Sequence, residues 1–270
     1  MLVEEPQPFF EVPAELLADV EAADSPERSA TDPRLVEARR RTEQLLEDGS
    51  IRIAFQPIVD LANKRVIGFE ALARFPGDPE ISPQAWFAEA AEVGLQIDIE
   101  MAAIRRALLD LEHLPSDAFI SLNVSPPTAG STELREALSH FDGSRIVLEI
   151  TESALAEGYE KVSEAIGVLR STGVRIALDD TGSGAVSLSN LLAVHADIIK
   201  IDIVVTRGIE SDPMKEAMAT ALKSLADRSG AMSLAEGIET EDELDLLRGL
   251  KVGAGQGYLF GHPESRAEQG

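Results

Sequence analysis

The chain has 270 residues, 44% of them hydrophobic and 4% aromatic, which is enough for a sizeable core in one large domain or two small ones. Its 24 Lys and Arg face 48 Asp and Glu, a net charge of -24, which argues against a general partner in DNA or RNA duplexes or anionic membranes, because such binding works by neutralising phosphates. There is no cysteine, so disulfides and thiolate metal sites are excluded, and a metal would be held by oxygens and perhaps the four histidines, which suits magnesium, manganese or calcium.

The start, Met-Leu-Val-Glu-Glu-Pro, lacks a basic, apolar leader, and no stretch approaches the ~20 apolar residues of a membrane span, so a cytoplasmic protein is expected. Residues 1 to 32 carry nine acids and one base and predict an acidic, poorly ordered tail. Asp32-Pro33 is a cap followed by a first-turn proline, and it opens a charged helix from Arg34 to Glu47 that stops before Asp48-Gly49. That helix is either part of the domain or a stalk leading to another.

Strand-like runs follow at Ile51 to Ile58, Val66 to Phe75, Ala118 to Val124, Arg145 to Ile150, Val174 to Leu178, Ile198 to Ile201, Met232 to Ala235 and Val252 to Phe260. Helical patterns lie between most of them, at Pro83 to Val93, Ile97 to Leu111, Glu133 to Phe141, Tyr159 to Ser171, Ala185 to Val194, Pro213 to Arg228 and Glu241 to Leu250. Strands alternating with helices predict an α/β barrel or a doubly wound sheet. Only the turn-like Asp60 to Lys64 separates the first two strands, which predicts an antiparallel hairpin rather than a crossover.

The stretch Arg175 to Leu188 organises the rest: an apolar strand runs into Asp179-Asp180 and then a glycine-spaced loop. Two carboxylates at a strand end could each serve one of two hard cations, or could bond their own backbone in a turn. Other strand ends carry polar groups too. Period two places Glu70, Leu72 and Arg74 on one face, as a barrel-mouth pair or a surface pair. Asn123 closes its strand as a ligand or a turn residue. Glu149 sits in Val-Leu-Glu-Ile, where an unpaired carboxylate is costly, so a ligand is the preferred reading. Lys200, between isoleucines, is suited to water or phosphate, or to pairing with Asp197 or Asp202. Glu236 reads as a site acid or a helix cap, and Gln256 lies among glycines that allow close approach of a ligand or simply form a turn.

The segments Phe-Gln-Pro-Ile-Val-Asp-Leu, Glu-Ala-Leu-Ala-Arg-Phe, Ser-Leu-Asn-Val-Ser-Pro, Leu-Glu-Ile-Thr-Glu-Ser, Ala-Leu-Asp-Asp-Thr-Gly-Ser-Gly, Asp-Ile-Ile-Lys-Ile-Asp, Ala-Glu-Gly-Ile-Glu-Thr and Gly-Gln-Gly-Tyr-Leu-Phe-Gly-His-Pro occur in order. Through them the chain resembles the EAL domain family of cyclic di-GMP phosphodiesterases. The resemblance implies a modified TIM (β/α)8 barrel with an antiparallel first strand over 33–264, a C-terminal tail at 265–270, and hydrolysis of cyclic di-GMP to linear pGpG. It implies two Mg2+ or Mn2+ ions held by Glu70, Asn123, Glu149, Asp179 and Asp180, with Lys200 positioning water and Glu236 as general base. Arg74 would contact a phosphate, Gln56, Leu72 and Gln256 would line the substrate site, and Glu152 would anchor the loop after Asp180. A homodimer is also implied.

The family loop usually reads Asp-Asp-Phe-Gly-Thr-Gly-Tyr-Ser-Ser-Leu. Here Thr181 replaces its Phe and Ala185-Val186 its Tyr-Ser, while Gly182, Gly184, Ser187 and Leu188 are kept, so a weakened loop is expected. A catalytically silent cyclic di-GMP receptor and a protein-interaction domain are the rival readings.

Overall fold

A computed structural model describes residues 32–77, 81–151, 164–181 and 195–265, apart from the side chain of Asp180. The tails at 1–31 and 266–270, Glu152, the expected helix at 185–194 and the loop carrying Ala185 and Val186 lie outside the described residues.

Among the described residues nine strands are seen: β1 Arg52–Asp60, β2 Val66–Arg74, β3 Phe119–Asn123, β4 Ile146–Thr151, β5 Arg175–Thr181, β6 Ile198–Ile201, β7 Met232–Ala235, β8 Ala254–Gly255 and β9 Glu264–Ser265. Strands β2 to β8 run parallel around a barrel that β1 closes, because β1 pairs antiparallel with both β2 and β8. This is the modified TIM barrel with an antiparallel first strand, and a doubly wound sheet is excluded. The β1–β2 hairpin turns where the Asp60 carboxylate accepts from the backbone N–H groups of Ala62 and Asn63, at 2.8 and 3.3 Å.

Helices follow the expected segments closely: Pro33–Asp48, Pro83–Glu92, Gln96–Asp110, Thr132–Leu138, Pro213–Ser229 and Glu241–Gly249, with 164–170 helical as well. The first ends at Gly49, in the left-handed region with φ 58°. It packs on the helix Pro83–Glu92: Arg41 lies over the Trp86 ring at 4.7 Å and pairs with Glu89, and Arg34 meets Glu92 at 2.7 Å.

Two expectations at the C-terminal end need correction. The strand expected from Val252 to Phe260 pairs only at Ala254–Gly255, and the tail expected from 265 begins with a residue of β9, paired to Ala54 and Phe55. The strand ends because Gly257, at φ 156°, turns the chain against Ile238, whose N–H and C=O bond to Gln256 O and Leu259 N at 3.1 and 3.0 Å. A β-carbon on Gly257 would stand 2.1 Å from Ile238 O and 2.2 Å from its N.

Inside the barrel, Ile58, Phe119, Val147, Ala177, Ile198, Leu234 and Ala254 form an apolar plug. A β-carbon on Gly68 would meet the Phe119 ring at 2.6 Å, so the missing side chain leaves room for that ring. Side chains alternate along a strand, so the residue two positions further on faces the same interior one layer nearer the C-terminal mouth. From the plug this step leads to Ser121, Glu149, Asp179, Lys200, Glu236 and Gln256. The larger core lies outside the barrel wall, between strands and helices.

Gly257→Ala is expected to cost about 2 kcal/mol or more, because backbone rather than a movable side chain fills the space. Urea unfolding measures this, and an unchanged midpoint would show that the turn relaxes freely.

Candidate active site

The layer above the plug gathers around one ammonium. Lys200 Nζ lies 2.7 Å from Glu149 Oε2, 2.9 Å from Glu236 Oε1, 3.0 Å from Asp179 Oδ1 and 4.0 Å from Glu70 Oε2. The side chains of Lys200 and Glu149 are each 1% exposed. Lys200 therefore pairs with neither Asp197 nor Asp202. The former accepts from Arg170 and from Ile176 N–H, and the latter from Val204 N–H at the start of a short helix.

Amides complete the ring. Asn123 Nδ2 donates to Glu70 Oε1 at 3.0 Å, and Gln256 Nε2 donates to Glu70 Oε2 at 2.7 Å and Glu236 Oε1 at 3.1 Å. Glu236 is not a helix cap, since the Thr240 side chain and Glu243 form that capping box. Asp179 stands opposite Thr151, and an irregularity inserts one extra residue in β5 between Leu178 and Thr181. Such a bulge re-aims side chains where regular alternation would send neighbours to opposite faces.

Arg74, Leu72 and Glu70 line a cleft of about 400 Å³ with Asn123 and Asp179. Arg74 is exposed and donates to Ala73 O at 3.0 Å. Gln56 is buried, stands opposite Glu70 across the hairpin and donates to Gly261 O at 3.4 Å. It is not among the residues lining the cleft. The expected roles of the Asp180 side chain and Glu152 fall on undescribed atoms.

Two contributors had no place in the expected site. Ser121 Oγ donates to Glu149 Oε1, and the buried Glu100 accepts from Ser125 N–H at 2.9 Å just past Asn123. Ser121 was legible in principle, two residues before Asn123 on one face. Glu100 carried no signal, because its helix meets that loop only through packing.

Four carboxylates sharing one ammonium in a buried layer cannot all hold full charge at no cost. Burial, partly offset by Lys200 and reinforced by Glu70 and Asp179, pushes the Glu149 carboxyl well above the ordinary range. Burial also raises Glu236 to about 7 against the opposing pull of Lys200. Burial by itself would lower the Lys200 ammonium, yet Glu149, Glu236, Glu70 and Asp179 together hold it well above its usual value.

The donor set offers only hard oxygens and an excess of negative charge, which fits a divalent cation such as Mg2+ or Mn2+. Asp179 Oδ1 accepts no hydrogen bond despite its closeness to Lys200, and buried Gln256 Oε1 also lacks a partner among the described residues. No three acids among the described residues stand in coordinating geometry, because the acids converge on Lys200 instead. The residues therefore fit a cation in kind and charge.

Fold and site together define a TIM-type barrel with an acidic, lysine-centred mouth. The EAL domain profile matches residues 39–263, and the chain belongs to that family. The probable cyclic di-GMP phosphodiesterase PdeB of Escherichia coli K12 is 32% identical over 239 residues, covering 84% of this chain and 45% of PdeB. The EAL enzyme Bd1971, in a form with cAMP and cyclic di-GMP bound, superposes with TM-score 0.80 at 27% identity over 97% of this chain and 75% of that one. BlrP1 of Klebsiella pneumoniae, in a complex with manganese and cyclic di-GMP, gives TM-score 0.71 at 28% identity over 79% of this chain and 56% of that one. The chain spans less than half the length of curated relatives such as PdeB, and 27% and 29% of two others. No helix among the described residues is long and apolar enough to cross a membrane.

Glu236 is protonated more readily folded than unfolded, so without metal its contribution to stability is full below about 4.5 and is lost as pH rises through about 7. The expected loss is ~3 kcal/mol, at 1.36 kcal/mol per pKa unit. Urea titrations of protein without added metal at several pH values test this, and a flat profile for wild type beside Glu236→Gln would refute it.

Proposed function

We propose that this domain hydrolyses cyclic di-GMP to linear pGpG with two Mg2+ or Mn2+ ions, lowering a second messenger in signal transduction. The observation that carries the reading is the convergence of Glu70, Glu149, Asp179 and Glu236 on Lys200 at the barrel mouth, beside a cleft also lined by Arg74. The substrate class is taken from the cyclic di-GMP complexes of Bd1971 and BlrP1, and the choice of metal from the manganese complex of BlrP1.

Glu70, Asn123, Glu149, Asp179 and Asp180 would hold the cations. When bound, these supply charge for the developing phosphoryl oxygens and lower the pKa of water. Lys200 orients the attacking water through N–H donation. Glu236, whose carboxyl is raised by burial, takes the water's proton. Water oxygen bonds to phosphorus as its proton passes to Glu236, the ring P–O bond breaks, and the leaving ribose oxygen takes up a proton from solvent to become a hydroxyl. Arg74 holds a substrate phosphate through its fork of donors, and Leu72 forms part of the same cleft wall. Gln56 and Gln256 complete the substrate side, and Glu152 is assigned to anchoring the loop. Thr181, buried where the family has Phe, slows turnover relative to relatives but leaves it measurable.

The homodimer belongs to the same proposal. Val204, Met214 and Met218 are 61%, 74% and 41% exposed on adjoining helices, apolar surface that a second copy would cover.

Chromatography of cyclic di-GMP incubated with protein in Mg2+ and in Mn2+ should show pGpG. Glu236→Ala should be slower by about 100-fold or more, and Glu70→Ala should be inactive with unchanged circular dichroism. Binding without product in either metal would make the domain a receptor, and neither binding nor product would make it an interaction scaffold. Sedimentation should show a dimer that Met214→Glu shifts toward monomer, and a wild-type monomer at all concentrations would remove that part.

A further inference from the structure

A second cavity, of about 590 Å³, adjoins the catalytic cleft on the other side of Arg74 and is lined by Ser50, Arg52, Arg74, Phe75, Pro76 and Arg106 among others. No acid among the described residues is found in its lining. Arg52 and Arg74 stand directly opposite each other across the β1–β2 pair, where like charges repel. Arg106 approaches from helix Gln96–Asp110. None of the three forms an ion pair among the described residues, a state they share with several other arginines, but of the cavities described only this one is lined by three such side chains. In a chain of net charge -24, three guanidiniums lining one cavity with no acid among its described residues run contrary to composition. By contrast, the cavity at the far end of the barrel sets Arg145 and Arg175 beside Asp117 and Asp142.

We propose that the Arg52–Arg74–Arg106 cavity is a phosphate-binding site, contiguous with the catalytic cleft and distinct from the acidic layer. Guanidinium forks pair with phosphate oxygens bidentately and remain charged at any working pH. A bound phosphate relieves the Arg52–Arg74 repulsion, and Phe75 and Pro76 give an attached nucleoside an apolar wall. The phosphate comes either from a free phosphorylated ligand or from the part of the substrate that is not cleaved.

The test is calorimetric titration of the Mg2+-loaded protein with inorganic phosphate at fixed salt, for wild type and the double variant Arg52→Ala/Arg106→Ala. Any phosphate taken up by the metal site appears in both proteins, so the difference reports this cavity alone. The wild type should show a component that weakens at least about tenfold in the double variant. Arg52→Lys/Arg106→Lys should restore it in part, since lysine keeps the charge without the fork. The only tryptophan, Trp86, stacks on Phe75 at 5.3 Å and gives a second readout in its fluorescence. Identical isotherms and fluorescence titrations for wild type and a folded double variant would overturn the proposal.

Kinetics with cyclic di-GMP separate the two sources. A raised KM with unchanged kcat in the double variant assigns the site to the substrate's second phosphate. An unchanged KM, with phosphate binding lost, assigns it to a free ligand. The phosphate titration needs no turnover, so it stands even if hydrolysis is not found.

Discussion

The burial of the Lys200 ammonium among four carboxylates is the constraint on which the rest of this structure depends. Neither side of that arrangement is tenable alone, because a buried lysine without acids would lose its proton and the acids without lysine would carry unanswered charge. The barrel fixes the arrangement with two amides and one hydroxyl, from Asn123, Gln256 and Ser121, each donating to a carboxylate. The acids nevertheless exceed the lysine, as the elevated carboxyls of Glu149 and Glu236 show. Charge left over after folding is what a divalent cation can neutralise.

The scaffold achieves this with little variety of means. On the parallel strands each inward apolar residue of the plug is followed two positions later by a polar one, so a layer of hydrocarbon supports a layer of polar groups. The polar layer borders a cleft at the C-terminal mouth, where barrels of this type generally place their sites. Departures from regularity occur where the site needs them: the inserted residue in β5 beside Asp179, and the early end of β8 that brings Gln256 to Glu70. Functional sites are where local rules of regular structure are most often broken.

To bind an anionic ligand, a strongly acidic protein must concentrate its positive charge. Arg52, Arg74 and Arg106 gather at one rim of the mouth, free of ion pairs among the described residues, while Arg34, Arg40 and Arg41 of the first helix pair with Glu92, Glu37 and Glu89. Exposed pairs of that kind add little stability. They do leave the rim as a locally positive feature in a field that otherwise repels phosphate.

Most of the architecture was legible in the chain. Period-two and helical patterns located the strands and the main described helices, and the five-residue link at Asp60 to Lys64 identified the antiparallel start. The choice between a barrel and a doubly wound sheet was not legible from periodicity, since both alternate strands and helices; closure by β1 decided it. The glycine-rich end misled, because Gly257 fits an extended pattern while its neighbour Ile238 forces a turn. Strand ends rich in Asp, Glu, Asn, Lys and Gln were conspicuous in sequence because polar groups beside isoleucine and leucine are costly without partners. Which partners they find was settled only in three dimensions: Lys200 bypasses Asp197 and Asp202, two and three residues away, for Glu149, Glu236 and Asp179 on other strands. Sequence alone singled out the polar residues at the strand ends, through local pattern and composition; tertiary structure decided how they meet, because a closed barrel joins side chains from strands far apart in the chain.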